Sequence, residues 1–104
     1  MADRLAQLMR LRESDPRDPF LTYGIALEHV KLGQTADALH CLDQTLALDS
    51  NYCYAYFQKG KLLLNGGDES EARRILQDGL NAAQRAGDQH ARGEIAELLA
   101  SIES

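Results

Sequence analysis

The amino-acid sequence predicts an all-α protein of about six helices that fold back on one another as antiparallel pairs. Three observations carry that expectation. The chain repeats itself with a period of 34 residues, its apolar residues recur at helical spacing, and glycine or proline interrupts the helical pattern at short intervals.

The repeat comes first because it changes the meaning of every local motif. Shifting the chain by 34 residues places Gly33 on Gly67, Ala38 on Ala72, Leu42 on Leu76 and Leu46 on Leu80, and Ala26 on Gly60. One period earlier, Leu5 falls on Leu39, Leu8 on Leu42 and Asp15 on Asp49. Within each period the apolar spacing is that of one helical stripe, as in Leu39, Leu42 and Leu46. No segment alternates as a strand would.

Each helix has legible ends. The first spans about residues 2–14 and is broken by Asp15-Pro16; Asp18-Pro19 restarts the chain, since proline suits a first helical turn. Gly33 stops the second helix, and Thr35 is placed to cap the third, which runs to about Leu48. A turn at Asp49-Ser50-Asn51 precedes a fourth helix over about 52–65. Gly66-Gly67 ends it, and Asp68 or Ser70 caps a fifth that reaches about Arg85. Gly87 stops that one, and Asp88 opens a last helix with Ile95, Leu98, Leu99 and Ile102 on its apolar stripe. Links of roughly two to four residues leave no room for crossovers, so successive helices are antiparallel neighbours.

Composition narrows the function classes. A chain of 104 residues suits one small domain, residues 1–104, and its 44% apolar content is that of a folding sequence. A net charge of −5 opposes general attraction to nucleic acid or an anionic membrane. Neither a spanning apolar run nor an apolar signal core stands out, and a cytoplasmic location is expected. Cys41 and Cys53 form no CxxC pair and read as reduced thiols on different helices. His29, His40 and His90 are scattered without four-ligand spacing, so neither a metal nor a cofactor is expected. There is no nucleophile elbow, HExxH or GxxxxGK[ST]. Glu94 and Glu97 have no visible reason to be desolvated, as a working general acid would need, and the chain reads as a non-enzyme.

The repeat resembles the tetratricopeptide repeat, a 34-residue pattern of W-x2-L-G-x2-Y, then A-x3-F, then P. The second full unit reads Tyr56-x2-Lys59-Gly60-x2-Leu63, then Ala72-x3-Leu76. The first reads Thr22-x2-Ile25-Ala26-x2-His29, then Ala38-x3-Leu42. Lys59 and Gln84 depart from the pattern's Leu and Pro. The resemblance covers nearly the whole chain: a half-repeat helix over 2–14, repeats over 18–50 and 52–85, and a capping helix over 88–103. It implies a right-handed superhelical stack of helix pairs. The chain is also similar to short bacterial proteins of this family that end in an AGD-x-HA segment, here Ala86-Gly87-Asp88-Gln89-His90-Ala91.

What the resemblance implies about function is a concave surface, lined by the first helix of each pair, that binds a peptide or protein partner. Carried over by register, the candidates are Phe20, Tyr23, Leu27 and Lys31 on one helix and Tyr54, Phe57, Lys61 and Asn65 on the next, with Arg92, Ile95 and Leu99 on the last. Aromatic anchors are favoured at binding hot spots, and the cations could pair with carboxylates. For Tyr23 and Phe57 the alternatives of groove and core stay open. Chaperone-binding members of the family hold a C-terminal carboxylate with Lys, Asn and Arg. Tyr23 and Leu27 stand where Lys and Asn would be wanted, so chaperone tails are not the expected ligand.

A second expectation is a homo-oligomeric structural module, of which a homodimer is the simplest form. The first helix carries a wide apolar arc of Ala2, Leu5, Ala6, Leu8, Met9 and Leu11, and the last is rich in Ile95, Leu98, Leu99 and Ile102. Ends of helical stacks need polar outer faces to stay soluble, so either excess could be buried against another copy. The stretch Asn65-Gly66-Gly67-Asp68-Glu69 is similar to the nucleotide-handling loop of the diguanylate cyclases. Its register with Leu32-Gly33-Gln34-Thr35 reads instead as a helix stop and restart.

Overall fold

A computed structural model of the chain describes residues 3–103. Six helices follow in order: α1 Arg4–Ser14, α2 Pro19–Lys31, α3 Thr35–Leu48, α4 Cys53–Asn65, α5 Glu69–Ala86 and α6 Gln89–Glu103. The expected placement of Ala2 in the first helix lies outside the described residues. Two compact units result, Met1–Asp49 and Ser50–Ser104, divided within the Asp49-Ser50-Asn51 turn.

Three of the turns share one construction. Gly33, Gly67 and Gly87 have φ of 72°, 86° and 68°, the left-handed region that glycine enters without a Cβ penalty. At each, two backbone bonds close the preceding helix: Gly33 N–H donates to Val30 O and Gln34 N–H to His29 O, Gly67 N–H to Leu64 O and Asp68 N–H to Leu63 O, Gly87 N–H to Gln84 O and Asp88 N–H to Ala83 O. The residue after the glycine then starts the next helix. Asp68 accepts from Glu71 N–H at 3.2 Å, and Asp88 from Ala91 N–H at 3.0 Å. At the first turn the expected cap by Thr35 is not made. Gln34 occupies the cap position without a side-chain cap bond, and its Oε1 instead accepts from His29 Nδ1 at 2.6 Å. Because His29 is buried, this bond satisfies a polar group that would otherwise lose its water.

In the first unit α2 packs on α1 and α3. Its core is Leu8, Thr22, Ile25, Ala26, Ala38, Cys41, Leu42 and Thr45. The buried Thr45 hydroxyl donates to Cys41 O at 2.8 Å, so neither threonine nor helix leaves an orphaned group there. Burial pushes the Cys41 thiol above its ordinary range, with the Arg12 guanidinium opposing. Both cysteines are free and buried.

In the second unit α5 packs on both α4 and α6, and α4 also touches α6. Cys53, Leu76, Ala83, Ala91, Ile95 and Leu99 form a buried cluster, with Tyr54, Phe57, Leu80, Leu98 and Ile102 packed against it. Close approach of α4 and α5 rests on two glycines. A Cβ on Gly60 would lie 2.5 Å from Leu76 Cδ2, and one on Gly79 2.8 Å from Tyr56 Cβ. The repeat register marks Gly60 as a small position by aligning it with Ala26, without naming its partner; Gly79 carries no such signal, because the aligned residue of the first unit is Thr45. Tyr56 reaches out of the same packing to donate its hydroxyl to Ser50 O at 2.7 Å.

Candidate functional site

The second unit brings part of the predicted face together around Phe57. Tyr54 and Phe57, three residues apart on α4, share one side of the helix, their rings meeting edge to face at 6.2 Å. One turn further on, the Lys61 ammonium lies 5.3 Å from the centre of the Phe57 ring. Both aromatics are half-buried: they cover the core with one side and face outward with the other. Phe57, like Tyr23 on α2, is thus neither fully buried nor fully exposed. Asn65 is exposed at the last turn of α4.

Opposite them, α6 supplies the other wall. A cleft of about 380 Å³ is lined by Phe57 from α4 and by Glu94, Glu97, Leu98 and Ser101 from α6. Glu94 is held in place: its Oε1 accepts from the Tyr54 hydroxyl at 2.8 Å and lies 2.7 Å from His90 Nε2. Partial burial, and secondarily the Glu94 carboxylate, push the Tyr54 hydroxyl up to about 12. The bond between Tyr54 and Glu94 thus ties α4 to α6 beside the cleft.

Two predicted residues do not belong there. Ile95 is fully buried, at 0% exposure, and Leu99 is 8% exposed, so neither is available to a ligand. The repeat register places Ile95 in line with Lys61 and Leu99 with Asn65, but α6 does not present those positions as α4 does. It turns Ala91, Ile95 and Leu99 inward instead, one helical turn apart, and buries them in the cluster with Leu76 and Ala83. Arg92 is exposed but lines a different recess, at the α5–α6 turn, with Gln84, Gly87, Asp88 and Gln89. Rotating α6 in this way brings Glu94, Glu97, Leu98 and Ser101 to the cleft. The available signal was the i, i+4 spacing of Ala91, Ile95 and Leu99, which defines a buried stripe and leaves Glu94 and Glu97 flanking it.

In the first unit the α2 candidates are less concentrated. Phe20 is 63% exposed in the first turn of α2. Tyr23 and Leu27 are half-buried. Lys31 is exposed and bonded to Glu28 at 3.1 Å, and Arg4 stands 3.9 Å from the same carboxylate oxygen. A wider cleft of about 630 Å³ opens on another side of this unit, between Met9, Arg12, Glu13 and Pro16 and the end of α3 at Gln44, Ala47 and Leu48.

Among the described residues no group of three or more His, Cys, Asp or Glu is placed to hold a metal ion, and no helix is long and apolar enough to cross a membrane.

No protein-family model matches the sequence, and no curated protein matches it. Solved structures do. A tetratricopeptide repeat domain protein of Salinibacter ruber is similar in crystal form with a TM-score of 0.79 at 26% identity, over 84% of this chain and 98% of that one. A solution structure of a tetratricopeptide repeat domain protein from the same organism gives 0.79 at 27%, over 85% and 89%. The solution structure of a protein from Bordetella parapertussis gives 0.84 at 27%, over 99% of this chain and 90% of that one. With its 34-residue register and its helix pairs, the chain has an all-α fold like that of the tetratricopeptide-repeat domains, similar to these bacterial proteins.

Proposed function

We propose that the chain is a non-enzymatic, cytoplasmic scaffold module that binds a peptide segment of a partner protein, with the α4–α6 cleft of the second unit as its anchor. The observation that carries this reading is the cleft itself. A half-buried aromatic, Phe57, is exposed on one side, stiffened behind by Tyr54, and flanked by side chains able to make charged contacts. Rigid aromatic anchors supply contact area at little cost in side-chain entropy. The exposed Phe20 and the α2 residues Tyr23, Leu27 and Lys31 serve as secondary contacts on the first unit.

The test is affinity capture from the native cell with the wild-type chain and with Phe57→Ala. The variant loses the captured partner while its circular dichroism stays helical. Capture at wild-type strength by a folded variant refutes the cleft as the anchor. Phe57→Leu, which keeps apolar cover over the core but removes the aromatic face, covers the case in which truncation to alanine unfolds the unit.

A second reading, self-association, is favoured at one end only. Met9 and Leu11 on α1 are 37% and 54% exposed, whereas Ile95 and Leu99 on α6 are buried in their own unit. Substituting Leu99 would therefore unfold the protein rather than report on association. Sedimentation of the wild type against Leu11→Glu is the informative comparison, and a monomer in both cases removes this reading.

A further inference from the structure

We infer that the segment taken by the α4–α6 cleft is basic and apolar, presenting a Lys or Arg next to an aliphatic side chain. This deepens the peptide-binding reading above and rests on it. It also differs from the sequence-based expectation, in which Lys31, Lys61 and Arg92 would meet carboxylates of the partner.

The chemistry of the lining carries the inference. Phe57 and Leu98 supply apolar surface, and Glu94 and Glu97 supply two carboxylates on the same wall of α6, one turn apart. Glu94 is pre-positioned by the Tyr54 hydroxyl and His90. Glu97 has no ion-pair partner among the described residues, so a ligand cation displaces nothing to reach it. Arg92, the nearest cation along α6, faces the separate recess at the α5–α6 turn and does not neutralise the pair. The Lys61 ammonium is one positive charge against these two negative ones, and it lies over the Phe57 ring.

Size agrees with this chemistry. A volume of about 380 Å³ lies at the small end of ligand pockets, enough for one or two side chains rather than a whole helix. A Lys or Arg stem can lie along Phe57 and Leu98 while its head reaches the carboxylates. An acidic segment would instead place its charge against Glu94 and Glu97, which costs affinity and slows encounter.

The probes are two end-blocked 12-residue peptides that share the same leucines, one with lysines and the other with glutamates at the remaining positions. Each is titrated into the full chain at about 0.15 M salt, where charges beyond about 8 Å are screened, and amide resonances are followed by NMR. The lysine peptide shifts Phe57, Glu94, Glu97 and Leu98 first. Its affinity falls about five- to tenfold in Glu94→Gln with Glu97→Gln, the sum expected for two partly exposed ion pairs. Asp37→Asn with Asp43→Asn on α3 removes the same net charge from the first unit and leaves binding unchanged.

Equal losses in the two double variants, or shifts scattered over both units, overturn the inference in favour of general attraction to an acidic protein. Preferential binding of the glutamate peptide in the cleft overturns the stated sign and leaves peptide binding standing. A cleft silent to both peptides also overturns the inference, and the capture experiment with Phe57→Ala decides the underlying reading separately.

Discussion

Two glycines of the second unit offer the same substitution with opposite outcomes. Gly79 lies inside α5 and Gly93 inside α6, so replacing either by alanine relieves the helix-propensity cost of glycine, about 0.8–1 kcal/mol. At Gly93 nothing lies within 4 Å of the added Cβ, and that gain is retained in full. At Gly79 the Cβ arrives 2.8 Å from Tyr56 Cβ and 3.2 Å from Ile95 Cδ1. The Ile95 methyl can swing aside, but Tyr56 Cβ is fixed to the backbone of α4, so relief requires α4 and α5 to separate. Overpacking of this kind costs about 1–3 kcal/mol, and with the obstacle on a backbone-attached atom the upper half of that range applies. The net expectation is a loss of about 1–2 kcal/mol for Gly79→Ala and a gain of about 0.8–1 kcal/mol for Gly93→Ala. Urea unfolding followed by circular dichroism reads both in the same unit. At ~4–8 °C per kcal/mol for a domain this small, the thermal midpoints move apart in opposite directions by an easily resolved interval. If Gly79→Ala stabilises the protein as much as Gly93→Ala does, the contact between α4 and α5 is not as close as argued, and the packing account of the second unit fails.

Two further outcomes follow from the turns and from the tie between α4 and α6. Asp88→Ala removes the carboxylate that accepts from Ala91 N–H and should cost about 1 kcal/mol in urea unfolding, whereas Asp88→Asn keeps an acceptor there and costs little; equal effects would remove the capping account. The Tyr54 hydroxyl stands raised to about 12 in the folded protein, above its ordinary value of about 10, so the folded state holds this proton more tightly than the unfolded one. Its contribution is full below pH ~10 and is lost as pH rises from there through about 12. Ultraviolet titration of the phenolates, compared with Tyr54→Phe, checks this: the variant lacks the last-titrating tyrosine, and the idea is wrong if the wild type releases that proton near pH 10.

How much could be read in advance depended on how local the chemistry is. The glycine stops at residues 33, 67 and 87 and the aspartate starts at 68 and 88 involve atoms within a few residues of one another. Their spacing in the chain was therefore sufficient to place all six helices to within one or two residues. The small residue at Gly60 was legible because the repeat aligns it with Ala26, while its approach to Leu76 came only with the packing of α4 on α5. Thr35 fails as a cap for a nonlocal reason: Gln34 is held by buried His29, whose need for a partner arises only once α2 is packed.

The candidate site divides along the same line. Tyr54, Phe57 and Lys61 share one side of α4 through helical periodicity alone, and their grouping was determined by the sequence. Which side of α6 meets them was not. The face of α6 is set by the demand to bury Ala91, Ile95 and Leu99 together with Leu76 and Ala83, a condition set jointly by three helices. That demand withdraws Ile95 into the core, sends Arg92 to another recess, and brings Glu94 and Glu97 to the cleft. The sequence by itself determined the helices, their turns and the aromatic half of the site. Only the tertiary structure decided the sign of the charge opposite that half, because the face α6 exposes is whatever its core does not consume.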